Sequence, residues 1–262
     1  MTPEKSGPGR LVLVPNTLDL GTAPEPLDTV LTAHAVRRAA ALTHWVVENA
    51  KTARAFLKRV DVVHPLATPV QSLDIRELPR VRKGSGDSVE EAEWKALLAP
   101  ALGGEAIGLL SDAGLPAVAD PGAVLVAAAH RLGVVVEPVA GTSSLTLALA
   151  ASGLNGQRFA FEGYLPQQAA ERTHRVRELE QRSRREGQTQ LVIETPYRNE
   201  SLLQALCQVL QPSTRLSVAC GLTSVGGWCR TQAVGAWQRE LQAAARSPMA
   251  SDLPAVFLWL AG

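Results

Sequence analysis

Two rhythms of apolar and polar residues divide the chain. In the first half, short aliphatic runs at 11–14, 43–47, 106–110 and 134–139 read as strands. Between them apolar residues recur at helical spacing. Leu27, Val30, Leu31, Ala35, Ala39 and Leu42 predict a helix over 27–42 that packs on a sheet, Trp94, Leu97, Leu98 and Ala101 predict one over 90–102, and residues 123–131 predict a third. Strand and helix in alternation predict an α/β fold with a parallel sheet. Residues 134–139 are so rich in valine that they read as a strand buried on both faces. Glu48, Asn49 and Lys51 fall in the turn, or the first helical turn, after the second strand.

The rhythm fails from 64 to 88. There RELPRVRKGSGDS gathers Arg76, Arg80, Arg82 and Lys83 among prolines and glycines, and reads either as a solvated excursion or as a loop that grips a substrate. Past residue 140, strand-like runs at 159–164, 191–194, 215–222 and 256–260 mix with helical patterns at 145–151, 173–185, 199–210 and 236–245, without the earlier alternation. The economical reading is two α/β domains, 10–139 and 140–262. In the charged helix, Arg172, Arg175, Arg177, Arg182, Arg184 and Arg185 alternate with Glu171, Glu178, Glu180 and Glu186. That pattern suits an exposed helix laced with i,i+4 ion pairs or, through Arg182, Arg184 and Arg185, a face for phosphate.

Composition narrows the classes. A chain of 262 residues can build two modest cores. Its formal net charge of +1 gives no overall attraction for nucleic acid, so any RNA contact must come from a local patch. No run nears the roughly 18 apolar residues of a membrane span, and the polar start is not followed by a signal-type stretch, so no membrane partner is expected. Cys207, Cys220 and Cys229 lack C-x-x-C spacing, which suits small core thiols in a reduced cytoplasmic compartment. The five histidines show no ligand spacing, so no metal is expected, and the common nucleotide-binding, zinc-protease and serine-hydrolase signatures are absent.

Residues 111–122, SDAGLPAVADPG, follow a strand and precede a helix. Two glycines, two prolines and two aspartates in that span make a shaped loop, in the place where α/β proteins hold ligands. Residues 139–144, VAGTSS, have the same setting. Gly141 lets the backbone turn, while Thr142, Ser143 and Ser144 offer hydroxyls and amides, either as a plain helix cap or as a second wall of the same pocket.

SDAGLPAVADPG, VAGTSS, FEGYLP and IETPYR, in that order, resemble the tetrapyrrole methylase superfamily. Within it they resemble the bacterial branch that 2′-O-methylates a cytidine of 16S ribosomal RNA, whose members carry SDAGTP-x-x-x-DPG. The likeness runs from about residue 104 to residue 199. It implies two α/β domains of the tetrapyrrole methylase type, with S-adenosylmethionine in the cleft between them, and a homodimer. By position, Ser111, Asp112 and Ala113 would run along the cofactor, with Ala119 closing the loop. Thr142, Ser143 and Ser144 match the family's P-G-x-[ST] cofactor loop, with Ala140 in place of its proline. Glu194, Leu222, Pro254 and Ala255 fall where the family's backbone meets the adenosine. A sulfonium beside a carboxylate calls for fixed dipoles and few formal charges, which Gly- and Ser-rich turns supply. Methyl transfer is an in-line displacement in which positioning contributes most of the rate, and a base near a ribose hydroxyl helps.

The acceptor side departs from the branch. Its A-T-P-I-G-N-L-G-D loop is represented by Pro15, Leu20 and Gly21 only, and its E-D-T-R motif stands as Glu48, Asn49, Ala50, Lys51. The ending LPAVFLWL looks more like the tetrapyrrole-modifying members. Three readings stay open: methyl transfer to RNA, with ribosomal RNA or the small ribosomal subunit as partner; methyl transfer to a tetrapyrrole or other small acceptor; and a paralogue that binds cofactor or RNA without catalysis.

Overall fold

The computed structural model describes residues 9–17, 25–79, 90–243, 248–249 and 253–262. Arg80, Arg82, Lys83, Leu20 and Gly21 lie outside them. The chain divides into two compact units, Met1–Thr142 and Ser143–Gly262.

In the first unit, strands β1 (Arg10–Leu13), β2 (His44–Val47), β3 (Asp74–Glu77), β4 (Ala106–Leu110) and β5 (Val135–Pro138) form one sheet in the order β3-β2-β4-β1-β5. Every pairing is parallel, so each return needs a crossover. Helices α1 (Ala33–Ala40), α2 (Ala50–Val63), α3 (Glu91–Leu97), α4 (Ala99–Leu102) and α5 (Ala123–Arg131) lie along these crossovers. Alternate residues of a strand face opposite sides. Val12, Val14, Trp45 and Val47 therefore pack with α1 and α2, while Leu11, Val46, Ile107 and Leu109 pack with Trp94, Leu98 and Leu125 on the other face.

The helix predicted over 27–42 is a 3-10 turn, Leu27–Thr29, followed by α1. Thr32 makes the break, because its hydroxyl accepts from Ala35 N–H at 3.1 Å and caps α1. Residues 90–102 likewise divide into α3 and α4. Pro100 has no N–H to give to Ala96, and that carbonyl accepts from Arg76 Nη1 instead, at 3.3 Å. The strand expected to be buried on both faces is an edge strand. Among the described residues β5 pairs only with β1, and Val135 is 38% exposed. Edge position also explains Glu137 within the valine run, since Arg38 Nε reaches its carboxylate at 2.7 Å and holds it below the usual carboxylate range. Two elements of this unit were not anticipated. β3, DIRE, has no apolar alternation and is a strand because β2 pairs with it, whereas α2 buries Ala53, Phe56, Leu57 and Val60 at helical spacing.

In the second unit, β6 (Phe159–Phe161), β7 (Thr189–Glu194), β8 (Arg215–Cys220), β9 (Trp228–Ala233) and β10 (Ala255–Leu260) are ordered β6-β7-β10-β8-β9. Only β6 and β7 are parallel, which accounts for the lost alternation in the sequence. α6 (Ser144–Ser152) covers one face through Ala148 and Leu149. α7 (Ala169–Glu186), α8 (Asn199–Val209) and α9 (Val234–Ala243) cover the other, around Val218, Trp237, Phe257 and Trp259. The arginines of α7 are engaged. Arg175 and Arg182 pair with Glu162 and Glu178, Arg184 donates to Gly262 O, and Arg185 pairs with Glu186, so Arg182, Arg184 and Arg185 are not an unopposed run.

Gly108 on β4 lies under Trp45, and a Cβ there would sit 2.5 Å from two ring atoms. Gly108→Ala is expected to cost about 1–3 kcal/mol by overpacking, read as a lower urea midpoint at unchanged m-value.

Candidate functional site

Because the five strands of the first sheet are parallel, their carboxyl ends share one edge. Asn16 after β1, Glu48 and Asn49 after β2, Leu78 after β3 and Ser111 after β4 gather there, where open α/β sheets place ligands. Asn16 ties the loop at 111–122 to this edge. Its backbone exchanges two hydrogen bonds with Gly114, at 2.9 and 3.0 Å, and its Nδ2 donates to the carbonyls of Ser111 and Asp112 at 2.9 and 3.1 Å. Its Oδ1 accepts from Thr17 N–H at 2.8 Å, so the buried amide is satisfied. Gly141 approaches from the end of β5, and a Cβ there would lie 2.2 Å from Pro15 Cβ, so no larger residue fits this contact. Within the loop Ala117 and Ala119 take left-handed backbone angles, φ 67° and 65°. For alanine that is strained, and the surrounding contacts must hold it.

Asp112 is fixed from both ends. Its N–H donates to Glu48 Oε2 at 3.2 Å, and its Oδ1 accepts from Thr52 Oγ1 at 2.6 Å. Asn49, an amide where the resemblance has an acid, still caps α2 by accepting from Lys51 N–H at 2.9 Å. A third carboxylate, Asp120, makes no hydrogen bond among the described residues. Burial pushes its pKa up, the charges of Glu48 and Asp112 add to that, and it reaches about 7. Glu48 is also raised, by burial first, with the Asp112 N–H pulling the other way. Glu48, Asn49, Leu78, Trp94, Asp112, Pro121 and Gly122 line a cavity of about 530 Å³.

Of the residues singled out in the sequence, Ser111, Asp112, Ala113 and Ala119 stand on this loop, and Thr142 ends the unit. In the second unit Ser143 precedes α6 and is buried, its side chain making no cap hydrogen bond, while Ser144 opens the helix and is exposed. Glu194, Leu222, Pro254 and Ala255 come together at one end of the second sheet. Glu194 at the end of β7 pairs with Ala255 at the start of β10, which pairs in turn with Cys220 at the end of β8. Gly221 N–H donates to Pro254 O at 3.0 Å, and Leu222 packs on the α6 face. The Glu194 side chain is committed locally, with Oε1 accepting from Thr195 N–H at 2.8 Å and Oε2 paired with Arg198 at 2.8 Å. The sequence did not single out Thr52 or Asp120. Asp120 lies in the quoted DPG, whereas nothing local marks Thr52, whose partner is 60 residues away. Among the described residues no group of His, Cys, Asp and Glu could hold a metal, and no helix is long and apolar enough to cross a membrane.

Two outcomes test this geometry. Asp120 titrates higher folded than unfolded, so its contribution to stability is full below the ordinary value of 3.8 and is lost as pH rises through about 7. Asp120→Asn should therefore gain on the wild type between about pH 5 and about pH 8 in urea denaturation; a constant difference across that window contradicts the assignment. Asn16→Ala should destabilise by about 2–3 kcal/mol, from carbonyls left unpaired in a buried setting, with the Ala117 and Ala119 amides exchanging faster in hydrogen exchange.

Comparison with known proteins agrees with this architecture. The family model described as Tetrapyrrole (Corrin/Porphyrin) Methylases matches residues 29–230. A Pseudomonas aeruginosa protein named ribosomal RNA small subunit methyltransferase I is 40% identical over 120 residues, covering 46% of this chain and 40% of that protein. A Synechocystis protein of the same name is 39% identical over 137 residues, 52% of this chain and 48% of that one. A Mycobacterium bovis protein of that name is 36% identical over 155 residues, 59% and 53% of the two chains. The chain thus spans about half the length of the curated relatives it matches. In fold it is similar to the methyltransferase CobJ, with a TM-score of 0.55 at 16% identity over 95% of this chain and 92% of that one. With two α/β units in place and the family model spanning most of the sequence, the chain belongs to the tetrapyrrole methylase family.

Proposed function

We propose that the chain is an S-adenosylmethionine-dependent methyltransferase that acts on RNA, at a ribose 2′-hydroxyl of the small-subunit ribosomal RNA. The observation that carries this reading is the 40% identity over 120 residues to a protein named ribosomal RNA small subunit methyltransferase I. The small ribosomal subunit as partner, a homodimer and a cytoplasmic location go with it.

The donor chemistry of the loops suits the cofactor. Bound S-adenosylmethionine would supply a methyl group on a sulfonium, next to an ammonium and a carboxylate. Asp112 Oδ2 has no partner among the described residues and can accept from the ammonium, while Thr52 keeps the carboxylate oriented through Oδ1. Ser111, Ala113, Ala119, Thr142, Ser143 and Ser144 are proposed to contact the cofactor through backbone and hydroxyl groups, and Glu194, Leu222, Pro254 and Ala255 through backbone. Polar turns of this kind present dipoles without a formal positive charge that would repel the sulfonium. With the cofactor held, orientation of the acceptor oxygen contributes most of the rate.

Calorimetry with S-adenosylhomocysteine tests the cofactor assignment. Asp112→Ala is expected to weaken binding about tenfold or more, from loss of a charge-assisted hydrogen bond, and Ser143→Ala several-fold; unchanged affinity in both removes the assignment. For the acceptor, mass spectrometry of small-subunit ribosomal RNA should find a ribose-methylated nucleoside in cells with the gene that is missing in cells without it. Identical RNA from both strains contradicts the RNA reading.

A further inference from the structure

Glu48 and Asp112, at the carboxyl ends of β2 and β4, line the cavity together with Trp94. Asp120 stands close enough to both to feel their charge. Glu48 accepts the Asp112 N–H through Oε2, and its Oε1 has no partner among the described residues. An independent sign of a ligand is Ser111 Oγ, on a residue only 2% exposed, which has no hydrogen-bond partner among the described residues. The backbone pattern of β4 continues through it. Leu109 O and Ser111 O both turn towards β1, accepting from Val14 N–H and Asn16 Nδ2, while Leu110 O turns towards β2 and accepts from Glu48 N–H. Ser111 therefore shares the face of Leu109, which lies against Gly122 in the cavity wall. A buried hydroxyl without a partner asks for one, which a bound ligand or a water can supply.

We propose that Glu48 is the catalytic base of methyl transfer, taking the proton of the acceptor hydroxyl at its free Oε1. The proposal rests on the RNA reading above. As the oxygen bonds to the methyl carbon, its proton passes to Glu48 Oε1, and the electron pair of the carbon–sulfur bond stays on the sulfur. One positive charge on the donor and one negative charge on Glu48 are cancelled together. A base of this kind works best when it titrates near the working pH. Burial raises Glu48 towards that range. The other charged groups on the elements around it are Lys51, Arg54, Lys58, Arg59 and Asp61 on α2, Asp74, Arg76 and Glu77 on β3, and Glu91, Glu93 and Lys95 on α3. None of them is among the causes of the Glu48 or Asp120 shifts.

Single-turnover methyl transfer to small ribosomal subunits from a strain lacking the gene tests the proposal, measured from about pH 5.5 to about pH 8.5. Glu48→Gln keeps an oxygen to accept the Asp112 N–H, and S-adenosylhomocysteine calorimetry on the variant checks that the fold and the cofactor site persist. The wild-type rate should rise with pH and level off. Glu48→Gln should bind S-adenosylhomocysteine like the wild type, lose the rising limb and fall at least about 100-fold in rate at neutral pH. If the wild type transfers methyl and Glu48→Gln keeps both rate and limb, the proton role is overturned alone. A Glu48→Gln variant that no longer binds S-adenosylhomocysteine assigns Glu48 to the cofactor and overturns it as well. A wild type that transfers no methyl to the subunit overturns the RNA reading and the proton role together.

Discussion

The loop after β4 keeps its shape because Asn16 closes on it from the neighbouring strand. One buried side chain and its backbone satisfy the carbonyls of Ser111, Asp112 and Gly114 and the N–H of Gly114, polar groups that the end of the sheet leaves without ladder partners. With those bonds made, the segment up to Gly122 can hold two alanines in left-handed angles that a free loop would abandon. The same clasp aims the Asp112 N–H at Glu48 and its carboxylate at Thr52. The chemistry of this edge follows from how the first residue pair of the clasp is placed.

That placement has an electrostatic consequence. Three carboxylates meet at a partly buried edge, and no cation is among the causes of the Glu48 and Asp120 shifts, so ionising all three works against both burial and mutual repulsion. Keeping one proton at Asp120 near neutral pH relieves this. Carboxylates elsewhere in the molecule are treated differently. Glu137, Glu162 and Glu194 each lie against an arginine, and their role is to fasten a strand or a helix to its neighbour. The contrast separates charges that hold the fold from charges left available for a proton.

Much of the architecture was legible because apolar spacing is a local property. The runs that became β1, β2 and β4, the helix α5 and the mixed second half follow from residues whose periodicity survives in the folded chain. Among the site residues, the glycines, prolines and aspartates of 111–122 announced a shaped loop after a strand, and the order of four short motifs pointed to the family that the match over 29–230 bears out. Less legible were elements whose identity depends on a partner. β3 has a polar sequence and is a strand through pairing with β2, and β9 is an edge strand of half-buried residues held by β8. The valines at 134–136 carried no sign of whether β5 would be central or at the edge, since strand order is set by the crossovers.

The sequence by itself determined the local vocabulary: which stretches carry the apolar spacing of a strand or a helix, and which segment has the composition of a shaped loop. The tertiary structure alone decided who meets whom. It brought Asn16 to a loop 95 residues away, put Thr52 on Asp112 across 60 residues, and set Asp120 beside Glu48. The physical reason is that hydrogen bonds and charge repulsion act through space at a few ångströms, and only the parallel order of β3-β2-β4-β1-β5 carries those residues to one edge.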